Sequence, residues 1–310
     1  MAIELWVERY RPKNTQEYVF RDQRLKNQVK TWIKEKSIPH LLLSGPAGTG
    51  KSSLARVLLN EIGVDGGDIL YINASDQTGV DNVRNQITNF VSTVPMGDFK
   101  VVLLEEADHL SVNAQAALRR VMEDYSDASR FIIVCNYIHK IIPAIRSRTQ
   151  EIVLQSLDLD AFKIRMAEIL IGEDVEIADE ELLDTYIKAS YPDLRKCINL
   201  MQQNTQDSVL LSPDANDGGT ADWQLAAIDL FKKGSITEAR KLIVSQIRAE
   251  EYEDLYRLLY RNLDWWSKAE EGQDEALLII RDGLVKHTVC ADPEINLSAC
   301  LIQLSKVGKQ

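Results

Sequence analysis

Two rhythms of apolar and polar positions run along this chain. Short runs rich in branched apolar residues recur at 40–44, 69–73, 101–104, 131–135 and 151–154, the length and composition of buried strands. Between them, 52–61, 81–94 and 113–125 space their apolar residues by three and four, which keeps them on one face of a helix. Strands alternating with helices predict a parallel sheet with helices on both faces. The first half of the chain reads as an α/β nucleotide fold.

After residue 155 the strand signal fades and helical spacing takes over at 159–170, 179–190 and 194–203. The stretch 204–220, with Ser212-Pro213-Asp214 and Gly218-Gly219, is a linker by composition. Beyond it, 221–231, 236–250, 252–268, 274–289 and 294–307 repeat the helical spacing. The expected organisation is an α/β core at 1–155, a helical lid at 156–204, a linker at 205–220 and an all-helical domain at 221–310. Trp265-Trp266 reads as core or subunit interface rather than a ligand box.

Composition narrows this only slightly. A chain of 310 residues suits two or three domains, and 45% apolar with 27% charged residues excludes collagen, low-complexity disorder and a coiled coil. No apolar run approaches the ~18 residues that cross a bilayer, and the opening Met1-Ala2-Ile3-Glu4-Leu5-Trp6 lacks the layout of a signal peptide. The expectation is a soluble, cytoplasmic protein, in a host's cytoplasm if viral, with no membrane partner. Cys135, Cys197, Cys290 and Cys300 have no C-x-x-C spacing, so they read as buried thiols of a reducing compartment. His40, His109, His139 and His287 likewise lack ligand spacing.

Charge is uneven. Residues 1–150 carry 19 Lys and Arg against 17 Asp and Glu, residues 151–310 carry 17 against 30, and the total is −11. An acidic chain is a poor stand-alone nucleic-acid binder because phosphate contacts supply much of the affinity. Any DNA contact belongs to a local surface, within an assembly.

The chemistry concentrates at Gly45-Pro46-Ala47-Gly48-Thr49-Gly50-Lys51-Ser52, which fits G-x-x-x-x-G-K-[ST], follows the strand at 40–43 and opens a helix at Ser53. Glycines let backbone N–H groups curl around phosphate oxygens, and the helix N-terminus adds positive potential. Lys51 is then expected at the β- and γ-phosphates and the Ser52 hydroxyl on Mg²⁺. The second half of such a site is Val101-Val102-Leu103-Leu104-Glu105-Glu106-Ala107-Asp108, an apolar strand ending in two acids. Glu105 is assigned to the metal and Glu106 to the base that activates the attacking water.

At this point the chain resembles the AAA+ ATPases, and more narrowly the small subunits of sliding-clamp loaders of the replication factor C type, phage versions included. The residues that carry the likeness are Trp6-Val7-Glu8-Arg9-Tyr10-Arg11-Pro12, the phosphate loop, Asn73-Ala74-Ser75-Asp76, Val83-Arg84, Ala117-Leu118-Arg119-Arg120-Val121-Met122-Glu123, Cys135-Asn136, Ser147-Arg148-Thr149 and Pro192-Asp193-Leu194-Arg195. The resemblance implies an AAA+ core, a helical lid and a helical collar that joins subunits. It also implies that Tyr10, Arg11 and Pro12 lie by the adenine, that Asn136 orients the water, and that Arg148 is an arginine finger completing a neighbour's site. Arg195 would be the second sensor, reaching from the lid to the γ-phosphate. Arg84 and Arg119 would face duplex DNA, together with helix N-termini after Ser75-Asp76 and around 113–120, and Gln115 would relay between DNA and ATP.

Two positions depart from the family's pattern. Glu105 stands where the family usually has Asp, and its extra methylene moves the carboxylate by about a bond length, an expectation of metal held through water and slower turnover. Thr149 replaces a common Cys and reads as packing. The implied function is ATP-dependent loading of a sliding clamp onto primer–template DNA, in a hetero-oligomer, pentameric with several copies of this chain, whose ATPase the clamp and DNA stimulate. Two rivals share these motifs: a remodelling or branch-migration ATPase that forms hexamers, and a clamp-loader scaffold that binds ATP without hydrolysing it.

Overall fold

Five strands, β1 (Leu41–Ser44), β2 (Ile69–Asn73), β3 (Lys100–Glu105), β4 (Ser129–Cys135) and β5 (Gln150–Val153), form one parallel sheet in the order β2-β3-β4-β1-β5. The computed structural model describes residues 4–75, 80–177, 180–211, 223–248 and 251–307, with backbone alone at 80–83. The helices with that sheet are α1 (Trp6–Arg9), α2 (Gln23–Glu35), α3 (Lys51–Ile62), α4 (Val80–Val91), α5 (Val112–Asp124), α6 (Pro143–Arg146), α7 (Leu159–Gly172), α8 (Glu180–Ser190) and α9 (Leu194–Gln203). The strands are apolar on both faces because each face has its own helical cover. Leu41, Leu43, Leu103 and Ile132 pack with Leu25 and Val29 of α2 and Leu54 and Leu58 of α3. Their alternate neighbours Leu42, Val102, Leu104 and Ile133 pack with Ile87 of α4 and Ala114, Leu118 and Met122 of α5. Each such fully buried aliphatic side chain contributes about 1.5–3 kcal/mol.

This register decides where chemistry can occur. Because the chain crosses from β1 over to β2 and returns through β3 and β4, the carboxyl ends of β3, β4 and β1 stand side by side. The residues that follow those ends are Glu106, Asn136 and Gly45, and ligands of open parallel sheets collect at that edge.

The chain divides into two compact units, residues 1–169 with 192–199, and residues 170–191 with 200–310. The segment expected as a lid is shared between them. The second unit is helical, with α10 (Trp223–Lys232), α11 (Ile236–Gln246), α12 (Tyr252–Arg261), α13 (Glu270–His287) and α14 (Pro293–Leu304) around buried Leu225, Ile228, Phe231, Leu255, Leu259, Leu297 and Leu301. In the stretch that composition marks as a linker, β6 (Thr205–Gln206) and β7 (Val209–Leu210) form a hairpin, turned by Asp207 and Ser208 at positive φ. The remainder, 212–220, lies outside the described residues.

Three local expectations are corrected. The helix expected over 252–268 ends at Arg261 and gives way to a short 3₁₀ turn, Leu263–Trp265. Trp265 and Trp266 both pack their rings on Phe231, each 5.4 Å between centroids, which draws the chain off the helix axis. The next helix starts at Glu270 rather than 274, because two acids in its first turn suit the positive end of the helix dipole. Cys290 is half-buried rather than buried, since it lies past the end of α13, whereas Cys135, Cys197 and Cys300 are interior. An element absent from the sequence reading, α2, carries its own signal: Asp22 caps it by accepting from the Leu25 N–H at 2.7 Å, and Leu25, Val29 and Trp32 recur along one face.

Candidate nucleotide-binding site

A loop can wrap around phosphate only if its amides converge, and the segment after β1 achieves this with three glycines at positive φ: Gly45 (146°), Gly48 (71°) and Gly50 (83°). A Cβ on Gly45 would sit 2.3 Å from the Leu154 carbonyl oxygen, and one on Gly48 would meet the Asp193 carboxylate at 1.7 Å. The helix after the loop begins at Lys51, two residues before the expected start at Ser53, so the lysine is itself its first residue. Lys51 Nζ donates to the carbonyls of Gly45 (2.8 Å) and Pro46 (2.7 Å), and Thr49 Oγ1 donates to the Pro46 carbonyl at 3.0 Å. Burial lowers the Lys51 ammonium to about 8, with the Asp108 and Asp193 carboxylates pulling the other way. Its hydrogen-bond partners are those two neutral carbonyls, and an anion is a stronger partner for an ammonium than either.

The loop forms one wall of a 340 Å³ cavity. Tyr10, Arg11, Pro12, Ala47, Gly48, Gly50, Lys51, Ser52, Ser53, Glu105, Glu106, Asn136 and Arg195 all line it. Gly45, Pro46 and Thr49, expected at the nucleotide, do not line it. Glu105 ends β3, paired with Asn73 of β2, and its Oε1 is buried without a hydrogen-bond partner among the described residues, 3.8 Å from Arg56 Nη2. Glu106 follows in the left-handed region (φ 54°), a conformation that turns the chain sharply out of the strand. Asn136 is exposed at the end of β4, and the backbone around it is anchored by Asp108, which accepts from the N–H groups of Asn136 (3.3 Å) and Tyr137 (3.2 Å).

Arg195 reaches the cavity because the start of α9 docks on the phosphate loop. The Leu194 N–H donates to the Gly48 carbonyl at 3.1 Å, and Asp193 Oδ1 accepts from the Lys196 N–H at 2.8 Å, capping the helix. Burial holds the Asp193 carboxyl above its ordinary range. On the opposite wall, Arg165 of α7 donates to the Tyr10 carbonyl at 3.1 Å and pairs with Glu168, while Arg11 pairs with Glu8 at 2.7 Å.

Arg148 is elsewhere. It follows α6, donates to the Ala144 carbonyl at 2.9 Å, forms an ion pair with Glu123 of α5, and borders a separate cavity with Trp32, His40 and Arg130. Arg119 lies one turn before Glu123 and pairs with it at 3.9 Å, and Arg84 is exposed on α4. Gln115, 1% exposed, ties α5 to the loop before α6: it donates to the carbonyls of Leu110 (3.1 Å) and Lys140 (2.9 Å) and accepts from the Ile142 N–H (2.9 Å). Asp76, part of the expected DNA-facing segment, lies outside the described residues.

Sequence reasoning missed Tyr18, Arg56 and Arg165 as parts of this site, and quoted Asp108 and Asp193 within their motifs without giving either a role. Asp108 closes the same motif as the Glu105-Glu106 pair, and what the sequence did not show is that it holds the backbone at Asn136 and Tyr137. Tyr18 and Arg165 come from segments with no motif of their own.

Residues 41–157 match the family described as ATPase family associated with various cellular activities (AAA). The replication factor C small subunit of Archaeoglobus fulgidus is 37% identical over 99% of this chain and 99% of its own length. That of Sulfurisphaera tokodaii is 34% identical over 100% and 98%, and that of Picrophilus torridus 42% identical over 64% of each. Among solved structures, the Thermotoga maritima RuvB Holliday junction branch migration motor matches with a TM-score of 0.51 at 19% identity, covering 62% of this chain and 63% of that one, a likeness of fold.

Proposed function

Because the chain belongs to the replication factor C small-subunit family, we propose that it is an ATPase subunit of a sliding-clamp loader, acting on primer–template DNA in an assembly with other subunits. The observation that carries this reading is the division of labour in space. Lys51, Ser52, Glu105, Glu106, Asn136 and Arg195 line one cavity, while Arg148 borders a different one, which supports a role for it at the site of another chain.

In the proposed mechanism the loop amides and Lys51 bind the β- and γ-phosphates of ATP, the substrate. The donor set suits Mg²⁺: Glu105 offers a carboxylate whose Oε1 has no hydrogen bond among the described residues and only the distant Arg56 as a charged neighbour, and Ser52 a hydroxyl among the residues of the cavity wall. When bound, the ion neutralises charge on the transferring phosphoryl group. Glu106 accepts a proton from the attacking water, and Asn136, able to donate and accept at once, orients that water. Arg148 of a neighbouring copy supplies the remaining positive charge, an effect of about 10³–10⁵ in rate in other phosphoryl-transfer systems.

Arg195 gives the reaction its mechanical outlet. Its helix is anchored to the phosphate loop through Leu194 and Gly48, so a contact made to the γ-phosphate and lost with ADP biases the position of α9. ATP binding would hold the assembly around an open clamp, and hydrolysis would release clamp and DNA. DNA contact is assigned to Arg84 and Arg119, on helices beside the sheet, through phosphates rather than bases.

The test is turnover by the purified assembly with and without clamp and primed DNA, alongside native mass spectrometry. Stimulation by both partners and a pentamer containing a non-identical subunit are the expected results. A homohexamer active without a clamp would replace this reading with that of a continuous remodelling motor. Absent turnover, unchanged in Glu106→Gln, would favour a non-hydrolysing scaffold.

A further inference from the structure

Two arginines meet one acid on α5. Glu123 Oε1 forms an ion pair with Arg148 Nη2, and Arg119 Nε, one turn earlier on the helix, lies 3.9 Å from the same oxygen. Attraction from both sides sets the place of that carboxylate. Arg148 Nη1 is held separately, donating to the Ala144 carbonyl at 2.9 Å and to Ser147 Oγ at 3.4 Å. The guanidinium is thus anchored to two elements, α5 through Nη2 and the α6 segment through Nη1, and its side chain is still 37% exposed. These contacts take three of its five N–H donors, which leaves two for an anion.

Helix α5 also fixes the other end of the segment that carries Arg148. Gln115 accepts from the Ile142 N–H at 2.9 Å, immediately before α6 begins at Pro143. A helix of four residues has little stability of its own, so its placement follows from these ties. Glu123 supplies the tie nearest the guanidinium.

We propose that Glu123 is a positioning residue for Arg148, whose carboxylate holds the guanidinium in the orientation presented to a neighbouring chain's nucleotide. The inference rests on the reading of Arg148 as a group that acts between chains, and deepens it. Glu123 does not line the nucleotide cavity of its own chain, so its effect on hydrolysis runs through Arg148. A long side chain released from its anchor spreads over many rotamers, and a misplacement of about 1 Å can lower a rate by about 10²-fold.

The experiment measures steady-state ATPase of the purified assembly carrying Glu123→Ala, Glu123→Gln, Arg148→Ala or the double variant, and ATP affinity of each isolated full-length chain. Glu123→Ala should lower kcat by about 10–100-fold, and Glu123→Gln, which keeps an acceptor oxygen, should recover most of that loss. Added to Arg148→Ala, Glu123→Ala should lower kcat no further, because the group it aims is already gone. The isolated chains should all bind ATP as wild type does, since neither residue lines their own pocket. A kcat unchanged or raised in Glu123→Ala would overturn the proposal, as would a glutamine no better than alanine. So would an equal fractional loss with and without Arg148, which would mean that Glu123 acts through something else. Weaker ATP binding by the isolated Glu123→Ala chain would overturn it too, by placing the effect in that chain's own pocket. Arg148→Ala separates the two readings: full turnover in that variant defeats the reading of Arg148 itself, whereas its inactivity beside a fully active Glu123→Ala defeats only this proposal.

Discussion

Gly45 and Gly63 show how differently one residue type can be constrained. Both have positive φ (146° and 81°), but a Cβ on Gly63 meets nothing within 4 Å, whereas one on Gly45 runs into the Leu154 backbone carbonyl. Gly63→Ala should cost only left-handed strain, about 1–2 kcal/mol. Gly45→Ala adds a backbone collision that β5 must move to relieve, so its cost should exceed that of Gly63→Ala by at least about 1–3 kcal/mol. Urea unfolding of the two variants decides the matter, and equal midpoint shifts would show that the loop has slack. For Lys51, whose ammonium has only carbonyl partners within the loop, truncation to alanine removes the one full charge aimed at phosphate. Calorimetric titration of Lys51→Ala with ATP should show no measurable binding.

At the scale of elements, the sheet depends on a side chain placed just before β1. His40 Nδ1 accepts from the Phe131 N–H at 3.1 Å, joining that edge to β4, and burial, with Arg130 nearby, lowers its pKa to about 4. The acceptor role requires the neutral ring. Between the unfolded value near 6.5 and the folded value near 4 the unfolded state binds the extra proton, so stability falls as pH drops through that window. Discounted for partial solvent exposure, the loss should be about 1–2 kcal/mol. His40→Gln keeps an acceptor without a titrating ring, so its urea midpoint should change less than wild type's between pH 6.5 and 4. Identical pH profiles would assign the acid sensitivity to other groups. The same scale shows what could be read from sequence alone. All five strands and the helices α3, α4 and α5 were legible, though not the short α6 before β5, because strands buried on both faces leave unbroken apolar runs, and because a phosphate loop states its own context. The break after Arg261 was not, since ring packing on Phe231 rather than local propensity ends the helix. The site divides the same way: residues inside motifs could be named, while Tyr18 and Arg165 come to the cavity only through folding.

For the whole molecule, the reading turns on whether Arg148 works for its own chain or for the next one. A head-to-tail interface places the same two unlike surfaces in contact at every junction, here a cavity carrying Lys51 and a face carrying Arg148. Two inactive variants can then complement each other. Lys51→Ala lacks a working pocket but keeps its guanidinium, and Arg148→Ala lacks the guanidinium but keeps its pocket. If Arg148 acts between chains, mixing the two in equal amounts before assembly should restore hydrolysis at about a quarter of the junctions, those where an intact pocket meets an intact Arg148. Adding Arg148→Ala to wild-type chains should, conversely, lower turnover per wild-type chain, because some intact pockets acquire a neighbour with no guanidinium. If Arg148 acts on its own chain, the mixed variants stay inactive and wild-type chains keep full activity however much Arg148→Ala is added. Steady-state ATPase measured across the mixing ratio separates the two outcomes, and the difference is large because the missing charge is worth about 10³-fold or more at each junction.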